Sequence, residues 1–213
     1  MAMKGSLETV QSRFWRGEFG DAYTERNAAT DDRLAARIAM WARILRAMEG
    51  APPRSILEIG ANVGINLQAL GFLTDATLHA IEPNAGARAA IVENGILPPA
   101  RVHDGVAAEI GMSDGAVDMA FTSGVLIHVH PDDLLASCRE IHRVARRYVV
   151  CAEYFSDQPD EVEYRGHAGY LFKRDFGSFW LDNFADLRVL DYGFLWRRLT
   201  GLDNITWWVF EKK

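Results

Sequence analysis

Glu58, Gly60, Asn62 and Gly64 stand together in ILEIGANVGINLQAL, Ile56 to Leu70, where an apolar run meets a glycine turn and then a helical pattern. A strand, a tight turn and a helix in that order are the usual seat of a nucleotide-like ligand in an α/β sheet. The glycine spacing is G-x-x-x-G, whereas a dinucleotide fingerprint needs G-x-G-x-x-G so that backbone can approach a pyrophosphate. Asn62 adds a side chain where a phosphate would come close, and Glu58 would set a carboxylate beside two phosphate charges. A ligand that lacks phosphate and carries a cationic portion fits these residues better.

Three further strand ends carry polar groups in chain order. In LHAIEPN, Glu82 can accept hydrogen bonds from both hydroxyls of a ribose. In HDG, Asp104 offers a partner for an adenine amino group and Gly105 allows close backbone approach. In FTSGVLIHVHPDDL, Thr122 and Ser123 would face the far end of the ligand across the top of the sheet. An ammonium, a carboxylate, a sulfonium, a ribose and an adenine in one molecule describe S-adenosylmethionine. Methyl transfer from a sulfonium is an in-line displacement, so alignment and exclusion of water are the main tasks. A hydroxyl or ammonium acceptor also needs a base, for which His128 is the first candidate and Glu153 the second; a carboxylate acceptor needs neither. The segment Tyr154 to Phe176 is too long and too aromatic for a simple connector and reads as a substrate lid. Its Tyr154, Tyr164, His167, Tyr170, Lys173 and Arg174 are candidates to bind the acceptor. An extended FKRDF sends Lys173 and Arg174 to opposite faces. Arg174 is the expected clamp for a carboxylate or phosphate, oriented by Asp175 or Glu153.

The elements that must position these residues follow from periodicity. Leu7 to Tyr23 and Asp31 to Glu49 read as helices, the second with Leu34, Ile38, Trp41, Leu45 and Met48 in one stripe and Thr30 or Asp31 as N-cap. Trp15, Phe19 and Tyr23 fall at helical spacing in the first. After Pro52 and Pro53, strands and helices alternate: SILEI, a helix from Gly64, TLHAIE, a helix from Asn84, ARVH, VDMAFT, a helix from Pro131, and YVVCAEY. That alternation predicts a parallel sheet with helices on both faces. DLRVLDYGFLW and NITWWVFEK then suit an antiparallel pair at the sheet edge.

The chain has 213 residues, 49% hydrophobic and 24% charged, enough for one domain with a full core. It divides into an N-terminal helical cap (1–50), a cofactor-binding core (54–154), the lid (155–180) and the strand pair (185–213). A formal charge of −6 without a basic run argues against a nucleic-acid partner. No apolar run is long enough to span a membrane, and MAMKGSLETVQSRFW lacks the features of a secretory leader, which points to the cytoplasm. Cys138 and Cys151 match no zinc or redox spacing and read as reduced core residues, so no metal is expected.

EIGANVG, IEPN, HDG and SGVLIHV together resemble the class I S-adenosylmethionine-dependent methyltransferases over Arg54 to Tyr154. FWRGEFGDAYTERN, YRGHAGYLFKRDFG and DNITWWVFEK resemble the small methylases associated with pseudaminic acid biosynthesis. The class resemblance implies a Rossmann-like sheet of seven strands with the last antiparallel, and a site above the strand carboxyl ends. It also implies an N-terminal helix covering the cofactor, with Tyr23 and Arg26 near the methionine carboxylate. The expected activity is methylation of a small polar, anionic metabolite such as an acidic sugar. Two alternatives stand beside it: a non-catalytic protein that binds S-adenosylmethionine on the same fold, and a nicotinamide-linked oxidoreductase.

Overall fold

The computed structural model describes residues 9–26 and 30–213. The expected helix start at Leu7, most of MAMKGSLETVQSRFW and Asn27 lie outside the described residues. Thr9 caps α1 (Val10–Arg16), its hydroxyl accepting the Ser12 N–H at 3.1 Å. Gly17 then takes an extended conformation, so the expected single helix is two, with α2 running over Glu18–Arg26. In α3 (Asp31–Arg46), Met40, Trp41 and Ile44 are buried, whereas Leu34, Ile38 and Leu45 are only partly so. Trp41 is fully buried, and truncating an aromatic so placed typically costs about 3–5 kcal/mol.

The parallel strands β1 (Ser55–Ile59), β2 (Thr77–Ile81), β3 (Val102–His103), β4 (Val117–Ser123) and β5 (Ala145–Glu153) carry the site at their carboxyl ends. Two short strands, β6 (Asp160–Glu161) and β7 (Phe172–Lys173), form a separate hairpin. β8 (Leu187–Leu195) and β9 (Ile205–Lys212) complete a seven-stranded sheet of order β3-β2-β1-β4-β5-β9-β8, with β9 antiparallel to both neighbours. This is the Rossmann-like methyltransferase sheet. α4 (Ile65–Gly71) and α5 (Ala85–Glu93) pack with α3 on one face of the sheet. The other face holds α6 (Pro131–Val144) and α7 (Phe176–Asn183).

The segment read as a lid thus holds a hairpin and the start of a helix. Asp175 caps α7, accepting the Ser178 N–H at 2.9 Å and the Ser178 hydroxyl at 2.7 Å. Gly177 is needed there because a Cβ would lie 2.3 Å from Nε1 of Trp208. A one-turn helix, α8 (Arg197–Thr200), interrupts the β8–β9 connection. Cys138 and Cys151 are buried and unbridged, and burial pushes both thiols up. Among the described residues no helix is long and apolar enough to cross a membrane.

Candidate active site

A cavity of about 1040 Å3 opens above the carboxyl ends of β1, β2 and β4. Single small-molecule sites run to about 1000 Å3, so it can hold a nucleoside cofactor and an acceptor together. Its roof is helical: Ser12, Trp15 and Arg16 of α1, Tyr23 and Thr24 of α2, and Arg33 and Arg37 of α3 border it.

Glu58 sits 1% exposed near the end of β1. Its Oε1 accepts a 2.7 Å bond from Nδ2 of Asn66, whose own oxygen accepts Nε1 of Trp41 at 3.1 Å. Oε2 is buried with no hydrogen-bond partner. Burial pushes the carboxyl up to about 8, against the opposing pull of Asn66 and the Arg37 guanidinium. An acceptor oxygen without a donor, on the cavity wall, fits an ammonium ligand. Arg37 lies on the same wall and donates to the Ser123 hydroxyl at 3.3 Å. It lies four residues before Trp41, on the inward side of α3, the sequence signal by which it could have been found.

The glycine loop explains its own departure from the dinucleotide pattern. Gly60 adopts φ +73° and Gly64 φ +79°, and Asn62 is also left-handed at φ +46°. Asn tolerates that region, so it replaces a second glycine in the backbone while its side-chain oxygen accepts Thr24 Oγ1 at 3.2 Å. The Asn62 N–H donates to Glu82 Oε2 at 2.7 Å, and the Asn84 N–H to Glu82 Oε1 at 2.8 Å. Glu82 therefore joins the loop to the start of α5 and still presents acceptor capacity to the cavity. Glu82→Ala should weaken S-adenosylhomocysteine binding by at least the roughly 1.5–3 kcal/mol of a charged hydrogen bond, measured by calorimetry. Both the ribose contact and the loop support would be lost together.

Asp104 and Gly105 border the cavity, and one oxygen of Asp104 also holds the roof. Its Oδ1 is held by Arg16 at 2.7 Å and Arg88 at 3.1 Å, which pins α1 over the nucleoside end. Asn84 attaches α2 in the same way, donating to Asp21 Oδ1 at 2.7 Å.

His128 ends the 3₁₀ turn Leu126–His128 and is 8% exposed on the cavity wall. Its Nδ1 lies 2.6 Å from the Tyr170 carbonyl. A carbonyl only accepts, so Nδ1 carries the hydrogen and Nε2 keeps a lone pair. Burial lowers the imidazole pKa to about 4, with the Tyr170 bond opposing. The ring is thus neutral and in the tautomer of a base at physiological pH. Trp15 and Tyr164 flank it, each with ring centroids 4.8 Å away. His130 also borders the cavity but serves as the N-cap of α6.

Several expected site residues lie elsewhere. Thr122 is buried on the other side of β4 from Ser123 by strand alternation and does not border the cavity. Glu153 is fully buried, with both oxygens engaged by backbone N–H groups, and does not reach the cavity as a base. Tyr23 borders the cavity, its hydroxyl pushed up to about 12 by burial; Arg26 is exposed, over the Phe19 ring. Tyr164, His167 and Tyr170 join Phe14 and Phe19 in an aromatic cluster behind α1. Lys173 pairs in register with Asp160 in the hairpin, and the Arg174 guanidinium lies 5.3 Å from the Phe179 ring centroid. None of these lid side chains borders the cavity, because α1 and α2 occupy the place expected of the lid. Tyr154 acts at one remove, its hydroxyl donating to Asp203 Oδ2 at 2.7 Å. Asp203, Arg33 and Arg197 border the cavity and were missed. The β8–β9 connection that supplies Asp203 and Arg197 looks like an ordinary turn in sequence.

The topology and this cavity define a class I S-adenosylmethionine-dependent methyltransferase fold. Residues 57–151 match the Methyltransf_11 family model, described as a methyltransferase domain. A comparison with curated proteins returns no match. The 1,6-didemethyltoxoflavin-N1-methyltransferase of Burkholderia thailandensis, solved with bound 1,6-didemethyltoxoflavin and S-adenosylhomocysteine, superposes with a TM-score of 0.70. It is 21% identical over 95% of this chain and 88% of its own. The magnesium protoporphyrin IX methyltransferase of Synechocystis PCC 6803, with bound S-adenosylhomocysteine, gives a TM-score of 0.70 at 12% identity, covering 97% of this chain and 100% of its own. A methyltransferase of Leishmania major gives 0.71 at 15% identity, covering 95% of this chain and 86% of its own. Two of these neighbours are named for different substrates, and all three share the fold.

Proposed function

We propose that the chain methylates a small polar acceptor carrying an anionic group, with His128 Nε2 accepting the proton that the acceptor loses. The observation that carries this reading is the neutral His128 ring, locked by Tyr170 in the tautomer of a base and set on the cavity wall. When bound, S-adenosylmethionine supplies an electrophilic methyl group. Glu58 would take its ammonium, Arg37 its carboxylate and Glu82 its ribose hydroxyls. The helical roof and Trp15 exclude water, and His128 holds the proton of a hydroxyl or amine acceptor.

The anionic class is supported by Arg33 and Arg197. Both border the cavity, and neither forms an ion pair with a described carboxylate; Arg33 donates to the Arg26 carbonyl, at 3.4 Å. These two replace Arg174 as the expected clamp. The resemblance of the flanks to pseudaminic acid-associated methylases makes acidic sugars the first class to assay. The test is transfer of labelled methyl to a panel of acidic, neutral and basic metabolites. Arg197→Ala should raise the Michaelis constant of the preferred acceptor tenfold or more, about 1.4 kcal/mol, with unchanged S-adenosylhomocysteine affinity. A preference for neutral or cationic acceptors, or silence of both Arg197→Ala and Arg33→Ala, would remove the anionic class.

A further inference from the structure

Glu153 ends β5 in register with Thr206 of β9 and is fully buried. Oε1 accepts the N–H of Val125 at 3.2 Å and of Leu126 at 3.1 Å, and Oε2 accepts that of Ile127 at 3.4 Å. The opening N–H groups of a helical turn have no partner within the turn, so a carboxylate that collects three in succession fixes where the turn begins.

Both ends of this turn reach the site. Val125 borders the cavity and packs on the glycine loop so closely that a Cβ on Gly60 would lie 2.6 Å from its Cγ2. The His128 N–H closes the turn on the Val125 carbonyl at 2.9 Å, while the ring is held from the opposite side by Tyr170. The turn is short, and of its N–H groups only that of His128 is satisfied from inside it.

We infer that Glu153 is a positioning residue: its buried carboxylate sets the 125–128 turn, and through it both Val125 against the cofactor loop and the His128 ring on the cavity wall. The base role of His128 rests on the function proposed above; the placement of Val125 does not. Thr122 of β4, Cys138 of α6 and Cys151 of β5 face the carboxylate, and both thiols are pushed up by burial and stay neutral. Burial raises Glu153 to about 7, with the N–H bonds drawing it back down.

The first test uses the unaltered protein. In amide-resolved NMR, the Val125, Leu126 and Ile127 N–H groups should be protected from hydrogen exchange, and their shifts should move together in a pH titration. Amides that exchange freely, or that titrate independently, would overturn the inference. The second test is Glu153→Gln, which turns an amide donor towards groups that are themselves donors. S-adenosylhomocysteine affinity should fall threefold to tenfold, and the His128 ring resonance should move. A folded Glu153→Gln protein with unchanged affinity and an unchanged His128 resonance would also overturn it. If that variant does not fold, the amides of the unaltered protein decide. Failure of the base reading is separable, because it would show as full turnover in His128→Ala with the turn amides unmoved.

Discussion

Gly60→Arg is expected to leave no measurable affinity for S-adenosylhomocysteine in a chain that still folds. Gly60 takes φ +73°, where a residue with a Cβ pays about 1–2 kcal/mol before any contact is counted. The added Cβ would also stand 2.6 Å from Cγ2 of Val125, whose turn is fixed by Glu153 and cannot swing aside. The loop must therefore move. Its N–H bonds to the Ile81 carbonyl and the Asn62 bond to Glu82 tie that movement to the groups expected to hold the cofactor. Beyond the strain, an arginine side chain would fill cavity volume beside Glu58 and could pair with its unpartnered oxygen. Calorimetry reads the affinity, and circular dichroism with a thermal melt reads the fold. Gly60→Ala carries the strain and contact without the long side chain and should bind measurably, though more weakly. Binding of Gly60→Arg within threefold of the unaltered protein would remove the loop from the cofactor site.

Residues whose role depends on a strand end were legible in the sequence, because a strand end and its following turn are local. Glu58, Gly60, Glu82, Gly105 and Ser123 all border the cavity as the alternation of strands and helices implied. Thr122 failed by one residue, which in a strand is the opposite face. The lid failed for a different reason. Tyr164, His167 and Tyr170 do approach the site, yet α1 lies between them and the cavity, and no local pattern says which of two aromatic segments takes the inner place. Arg174 illustrates the same limit: strand alternation could not say that its guanidinium meets Phe179. Asp203 and Arg197 come from a connection whose sequence carries no signature beyond a turn. The hairpin and α7 were hidden in a glycine-containing run read only as a lid, although Asp175 and Ser178 form a recognisable cap.

His128→Ala should lower turnover on the acceptor by about 10² to 10⁴ while S-adenosylhomocysteine affinity stays within about twofold. Removing the ring also removes its bond to Tyr170, so the alanine variant alone would confuse loss of a base with loss of order. His128→Asn separates them, since its amide N–H₂ can still donate to the Tyr170 carbonyl but offers no basic nitrogen. Both variants should lose turnover alike; near-normal turnover in His128→Asn would make the residue structural. The pH dependence gives an independent reading. Burial holds the imidazole neutral down to about 4, so the acidic limb of the unaltered protein should lie near 4 rather than near the usual 6.5, and both variants should lack it. The same shift has a stability consequence of definite sign. The folded protein binds fewer protons at His128 than the unfolded chain between about 4 and 6.5. The contribution is therefore complete above 6.5 and lost as pH falls towards 4, on the order of 3 kcal/mol in all. Thermal melts at pH 7 and pH 5 should show the unaltered protein losing more stability than His128→Asn. An equal loss in both would mean that His128 is not the buried neutral ring on which its role as a base depends.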